Sequence, residues 1–216
     1  MIIFGNKSSK SPPGPEQTHF VTAIIANGFS FDPKAGFPTT AFSGAWFQIE
    51  IDRAIPVSGE YAFSASDHVI DVSDTGIVTL NSWPAGTFDV VITPADGSLA
   101  FRYTVRPALW FAHSDSAMPA NEARDFPWSL DDGSVVPVRA QLTNGAVNTP
   151  GTRAIGTLYS EWGNPEQTAP DFVGGVYWTE EDVPGMPRFY TVRLSDGSIG
   201  SDEGDIEHLA AAVKTI

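Results

Sequence analysis

Apolar and polar positions follow two different rhythms along the chain. From about residue 18 to 106 the apolar residues come in short runs, many alternating with period two, which predict strands at 18–26, 45–52, 60–65, 69–72, 76–80, 86–93 and 99–106. Pro38, Gly59, Asp74-Thr75-Gly76, Pro84-Ala85-Gly86 and Asp96-Gly97 punctuate them as turns. Short strands at this spacing predict a β-sandwich. After Pro107 the rhythm lengthens. Residues 119–130 and 150–162 have helical character, with Pro127 ending or kinking the first. In the second, Ile155, Leu158, Tyr159 and Trp162 recur at helical spacing before Gly163. Strands return at 175–179, 188–195 and 207–214. Val176 and Trp178 share one face, and Tyr190, Val192 and Leu194 alternate with Thr191, Arg193 and Ser195 up to the turn pair Asp196-Gly197. The second half therefore reads as α+β, with the boundary at 106/107. Residues 1–17, rich in Ser, Pro, Gly and Lys from residue 5 onward, read as an N-terminal arm with no core of its own.

Composition narrows the functional classes. The 216 residues are 42% hydrophobic and include 14 Phe and 6 Trp, enough for packed cores in one large domain or two smaller ones. Twelve basic against 26 acidic residues give a net charge of −14, which argues against nucleic acid as the main partner. With no Cys, disulfide frameworks, Cys-ligated zinc and thiol catalysis are excluded. No apolar run is long enough to insert in a membrane, and the start MIIFGNKSSK is too briefly apolar for a signal peptide, so export by the general secretory route is not expected.

Candidate chemistry is sparse. His19, His68, His113 and His208 are scattered without metal-ligand spacing, and Gly-x-Ser-x-Gly and phosphate-binding Gly-rich motifs are absent. The acidic clusters Glu180-Glu181-Asp182 and Asp202-Glu203-Gly204-Asp205 could supply calcium oxygens, but they do not fit an EF-hand loop and read better as solvated loops. The expectation is a non-enzymatic protein with no catalytic residue, no metal and no cofactor. Trp162 and Trp178 are expected in the core, and Trp110 between the modules.

The segments FPTTAFSGAWFQIEI, YAFSASDHVIDVSDTGIVTL and GTFDVVITPADGSLAFRYTV resemble the bacterial Ig-like domains of intimin- and invasin-type adhesins. Downstream, VPVRAQLTN, GTRAIGTLYSEWGN, VYWTEE and RFYTVRLSDGSI resemble, in order and spacing, the C-type-lectin-like domain that follows such modules. The resemblance implies an all-β Ig-like sandwich over 18–106 followed by an α+β C-type-lectin-like domain over 107–216. That lectin-like family often joins its first helix to its last strand by a disulfide. Here the regions near Phe126-Pro127 and Ala210–Val213 contain no Cys, so apolar packing must substitute and assembly in a reducing compartment is compatible. The calcium-lectin motifs Glu-Pro-Asn, Gln-Pro-Asp and Trp-Asn-Asp are also missing, so lectin-like describes the fold and not sugar binding.

The strands read as scaffold and the loops TEEDVPGMP and GNPEQTAPDF as projections stiffened by Pro165, Pro170, Pro184 and Pro187. Asp171, Phe172, Glu181, Asp182, Met186 and Arg188 are the candidate ligand-binding residues. In the arm, Ile2, Ile3 and Phe4 would anchor on a neighbouring protein, with Lys7 and Lys10 pairing with acidic groups. Taken with the missing leader and cysteines, this predicts a phage virion surface protein, a capsid decoration or tail component in a multicopy assembly. It would contact other virion proteins through the arm and a host surface protein or glycan through the loops. The alternative is a bacterial cell-surface adhesin of the intimin/invasin type.

Overall fold

The computed structural model describes residues 17–216. Ile2, Ile3, Phe4, Lys7 and Lys10, the anchoring residues expected in the arm, lie outside the described residues. The first half is built of β1 (Val21–Ala26), β2 (Phe29–Phe31), β3 (Thr40–Phe42), β4 (Ala45–Ile51), β5 (Tyr61–Ala65), β6 (Ile70–Val72), β7 (Ile77–Leu80), β8 (Phe88–Pro94) and β9 (Phe101–Val105). An antiparallel sheet in the order β2-β1-β4-β7-β6 faces a second of order β5-β8-β9. The period-two pattern does what it predicts. Ala45, Phe47, Ile49 and Ile51 of β4 point inward, as do Phe88, Val90 and Ile92 of β8, and together they fill the space between the sheets.

Two strands escape the pattern. Both β2 and β3 are three residues long, too short to show a period. β3 does not join either sheet of the sandwich. It runs parallel to β10 (Leu109–His113), with Leu109, Trp110 and Phe111 opposite Thr40, Ala41 and Phe42. The remaining elements are α1 (Ala120–Ser129), α2 (Arg139–Leu142), α3 (Leu158–Trp162), β11 (Val176–Asp182), β12 (Arg188–Arg193), β13 (Ser198–Glu203) and β14 (Ala211–Thr215). They make a β14-β10-β3 sheet and a β11-β12-β13 antiparallel meander.

Three expectations for this half change. The helix expected over 150–162 forms only over Leu158–Trp162. Pro150-Gly151 and Gly156, which sits at φ +118, favour an irregular lead-in, and Thr157 caps the helix where it starts. The strand expected at 207–214 starts at Ala211, and Ser198–Glu203 is a strand that polar composition hid. Pro127 does not end α1. It sits in the last turn, two residues before the helix stops at Ser129.

One apolar cluster runs from Ile24 of β1 to Val213 of β14 without a break at 106/107. Its centre is a chain of ring contacts crossing from the first half to the second: Phe31 to Phe37 at 4.5 Å, Phe37 to Trp162 at 5.0 Å, Trp162 to Phe42 at 5.3 Å, Phe42 to Phe172 at 4.9 Å. Polar groups lock the same place. The buried Glu161 carboxylate accepts from Thr39 Oγ1 at 2.5 Å, Thr40 Oγ1 at 2.7 Å, and the N–H groups of Thr40 at 2.8 Å and Gly156 at 3.0 Å. Trp162 Nε1 donates to the Thr40 carbonyl at 2.9 Å. The Arg153 guanidinium donates to the carbonyls of Ala26 at 2.9 Å and Asn27 at 3.3 Å. Burial pushes the Glu161 carboxyl above its ordinary range, while the donors from Thr39 and Thr40 pull it back.

Replacing Glu161 by Ala strands the buried N–H and O–H of Thr40 together with the Thr39 donors. The expected loss is about 2–4 kcal/mol, since each unpaired buried donor costs about 1–3 kcal/mol. Urea unfolding at neutral pH measures it, with both halves melting in one transition. A loss below about 0.5 kcal/mol would show that the network is dispensable.

Candidate recognition surface

Helix α1 packs on the meander through its small residues. Ala120, Ala123 and Pro127 face inward, and Ala120, Ala123 and Ala210 close around Trp178, which is 1% exposed. Trp178 Nε1 donates to the Met118 carbonyl at 2.9 Å, and its ring meets Phe189 edge-on at 6.0 Å. Once the inward positions are fixed, helical periodicity turns Asn121, Arg124, Asp125 and Trp128 outward on one stripe. Trp128 is 83% exposed, the most exposed large apolar side chain among the described residues. No packing requirement accounts for it.

Arg124 ties this helix to the end of β11. Its guanidinium donates to the Glu180 carbonyl at 3.0 Å and to Asp182 Oδ1 at 2.5 Å, and lies 4.5 Å above the Phe189 ring. Two grooves flank the Arg124–Trp128 stripe. One, of about 710 Å³, is lined by Pro127, Trp128, Val135, Val136, Asp131 and Glu180. The other, of about 740 Å³, is lined by Asn121, Asp125, Phe189, Gly204 and Asp205. Val135 is also exposed, so the first groove presents apolar side chains among its charged ones.

The candidate ligand-binding residues distribute unevenly around this surface. The loop TEEDVPGMP is shorter than expected, because β11 continues through Asp182 and only 183–187 turn the hairpin. Glu181 is committed to Arg139, which forks onto its two oxygens at 3.0 Å each and stacks 3.6 Å over the Tyr190 ring. Burial raises the Glu181 carboxyl, and Arg139 more than reverses this, holding it below its ordinary value. Asp182 is exposed but paired with Arg124. Met186 is 59% exposed at the hairpin tip. Arg188 is not a loop residue. It opens β12, half-buried, and donates to the Ser201 carbonyl at 2.5 Å. Phe172 is a correction: at 1% exposure its ring packs between Phe42 and His113 and presents nothing to a ligand. Asp171 is exposed beside it, in the turn that precedes β11.

Trp128, Val135 and Arg124 were missed by sequence reasoning. For Trp128 the signal was present in the i, i+3, i+7 spacing of Ala120, Ala123 and Pro127, which turns it off the buried face. Among the described residues no three His, Asp or Glu side chains converge as metal ligands, and no helix is long and apolar enough to cross a membrane.

Comparison with known proteins gives this geometry a context. Residues 22–105 match the family model of invasin domain 4. Over 197 residues the chain is 30% identical to the inverse autotransporter adhesin YeeJ of Escherichia coli, covering 89% of this chain and 8% of that protein. The crystal structure of invasin, described as a bacterial integrin-binding protein, superposes over 92% of this chain and 40% of its own length, with a TM-score of 0.80 and 26% identity. These are modules of the intimin/invasin type. Intimin bound to Tir shares the fold of such modules with a TM-score of 0.63 over 93% of this chain and 99% of its own, at 15% identity. The invasin of Yersinia enterocolitica is 24% identical over 83% of the chain, which spans 21% of that protein. The chain thus spans under a tenth and about a fifth of the two relatives' lengths. The two relatives are named as an adhesin and an invasin. The expected phage virion role finds no support here, and the alternative of a bacterial cell-surface adhesin is the reading these relatives favour.

Trp128→Ala should change stability by no more than about 0.5 kcal/mol, as for an exposed residue. Trp178→Ala should cost about 3–5 kcal/mol, as for a buried large aromatic. Thermal melts of the two variants side by side distinguish them, and comparable losses would mean that Trp128 serves packing.

Proposed function

We propose that the chain is the recognition-bearing part of a bacterial cell-surface adhesin of the intimin/invasin type. In this reading residues 18–106 are an Ig-like spacer and residues 107–216 a C-type-lectin-like module that contacts a host surface protein, without enzymatic activity. The observation that carries it is Trp128, held out from α1 at the edge of an apolar-lined groove on a scaffold whose relatives are adhesive. Exposed Trp and Arg side chains beside desolvatable pockets are the usual anchors of protein interfaces. Invasin is described as integrin-binding and intimin is solved with Tir, which favours a protein receptor over a glycan.

The shared aromatic core and the Glu161 network support the second half as a rigid mount. A binding face on rigid elements loses little entropy on docking. Asp182, paired with Arg124, borders the same face, whereas Phe172 belongs to the mount.

Beads coated with the chain should adhere to cultured animal cells. Trp128→Ala combined with Val135→Ser should reduce adherence about tenfold or more, as for loss of an interface hot spot. The melting temperature should stay unchanged. Full adherence by that double variant would sink the assignment of this face.

A further inference from the structure

The charges around α1 indicate what kind of partner the face takes. Residues 107–216 hold six Lys and Arg against 16 Asp and Glu. The cations near the face are engaged within the fold: Arg124 with Asp182, Arg139 with Glu181, Arg188 with Asp202 and Lys214 with Asp132. Arg153 is spent on backbone carbonyls at the junction of the halves. Four carboxylates that line the grooves are left over. Asp131 and Glu180 border the groove beside Trp128, and Asp125 and Asp205 border the groove across the helix. None of the four has an ion-pair partner among the described residues.

From this arrangement we infer that the face binds a protein surface in which an apolar side chain is ringed by Lys and Arg. The inference rests on the recognition role proposed above and adds the partner's chemistry. The apolar side chain enters between Trp128 and Val135, and the basic rim meets the four uncompensated carboxylates. An exposed Trp ring also favours a cation over its face. Carboxylates lining a concave site focus negative potential and speed the encounter with a basic partner, and they repel acidic polymers such as sulfated glycans and anionic phospholipid surfaces. Acidity alone would be an ordinary means of staying soluble. A surface shaped only for solubility would not hold an 83% exposed Trp between its carboxylates.

The test uses the whole 216-residue chain and three synthetic peptides. The first has an aromatic and aliphatic anchor flanked by Lys, the second replaces each Lys by Glu, and the third keeps the Lys and lacks the anchor. In calorimetric titrations the first should bind, and its affinity should fall about tenfold between roughly 0.05 M and 0.5 M salt. The second should show no binding, and the third should bind at least about tenfold more weakly than the first. The triple variant Asp125→Asn, Asp131→Asn, Glu180→Gln should weaken the first peptide about tenfold with an unchanged melting temperature. No binding of the first peptide, equal binding of the Glu peptide, or a triple variant that binds like the parent chain would each overturn the inference. Bead adherence with the same proteins separates this from the role itself. If the Trp128 variant loses adherence and the triple variant keeps it, the face stands and the basic partner falls. If the peptides behave as expected while both variants adhere fully, the partner chemistry stands and the adhesive role falls.

Discussion

The seating of α3 on β3 is the contact on which the rest of the molecule depends. A five-residue helix is far below the length that holds itself together in water, yet Leu158–Trp162 delivers the two side chains that join the halves. Trp162 supplies the apolar part, entering the ring chain between Phe37 and Phe42. Glu161 supplies the polar part. A carboxylate without solvent is tolerable only when donors surround it, and Thr39 and Thr40 each provide a backbone N–H and a hydroxyl. The pair makes strand β3 a member of the second half's sheet. Everything farther out, including the meander and α1, is positioned from there.

From this seat outward the structure becomes less dependent on backbone pairing and more on small residues. The meander and α1 meet through Ala120, Ala123 and Ala210 around one Trp, which allows close approach but leaves little apolar area in reserve. Arg124 and the Arg139–Glu181 fork compensate by stitching the helix and the 137–142 region to β11. These cations are therefore structural, and the uncompensated carboxylates around α1 are left on the outward side.

Much of the first half was legible because its strands are long enough to show a period. β4 and β8, at seven residues each, announce themselves through alternation. The three-residue β3 could not, and its paired residues lie 69 positions away, beyond the reach of local pattern. The family resemblance was readable from GTLYSEWGN and YWT, where Glu161 and Trp162 turn out to form the junction itself. What the letters could not convey was the role of that Glu, because an acidic residue in a short helix looks the same whether it faces water or two threonines. The candidate binding residues suffered in a similar way. Loop character and Pro content selected Phe172, whose ring is interior, whereas Trp128 sat in a helix and was passed over because loops attract attention first. The arm's residues fall outside what the structure describes.

The parallel pairing of β3 with β10 bears on how such proteins are assembled over evolutionary time. A strand contributed by one module to its neighbour's sheet means that a cut between β9 and β10 leaves the second piece with an unpaired edge at β10, and unpaired edges invite association with other chains. Shuffling of genetic segments at that point would yield a sticky fragment in place of a portable unit.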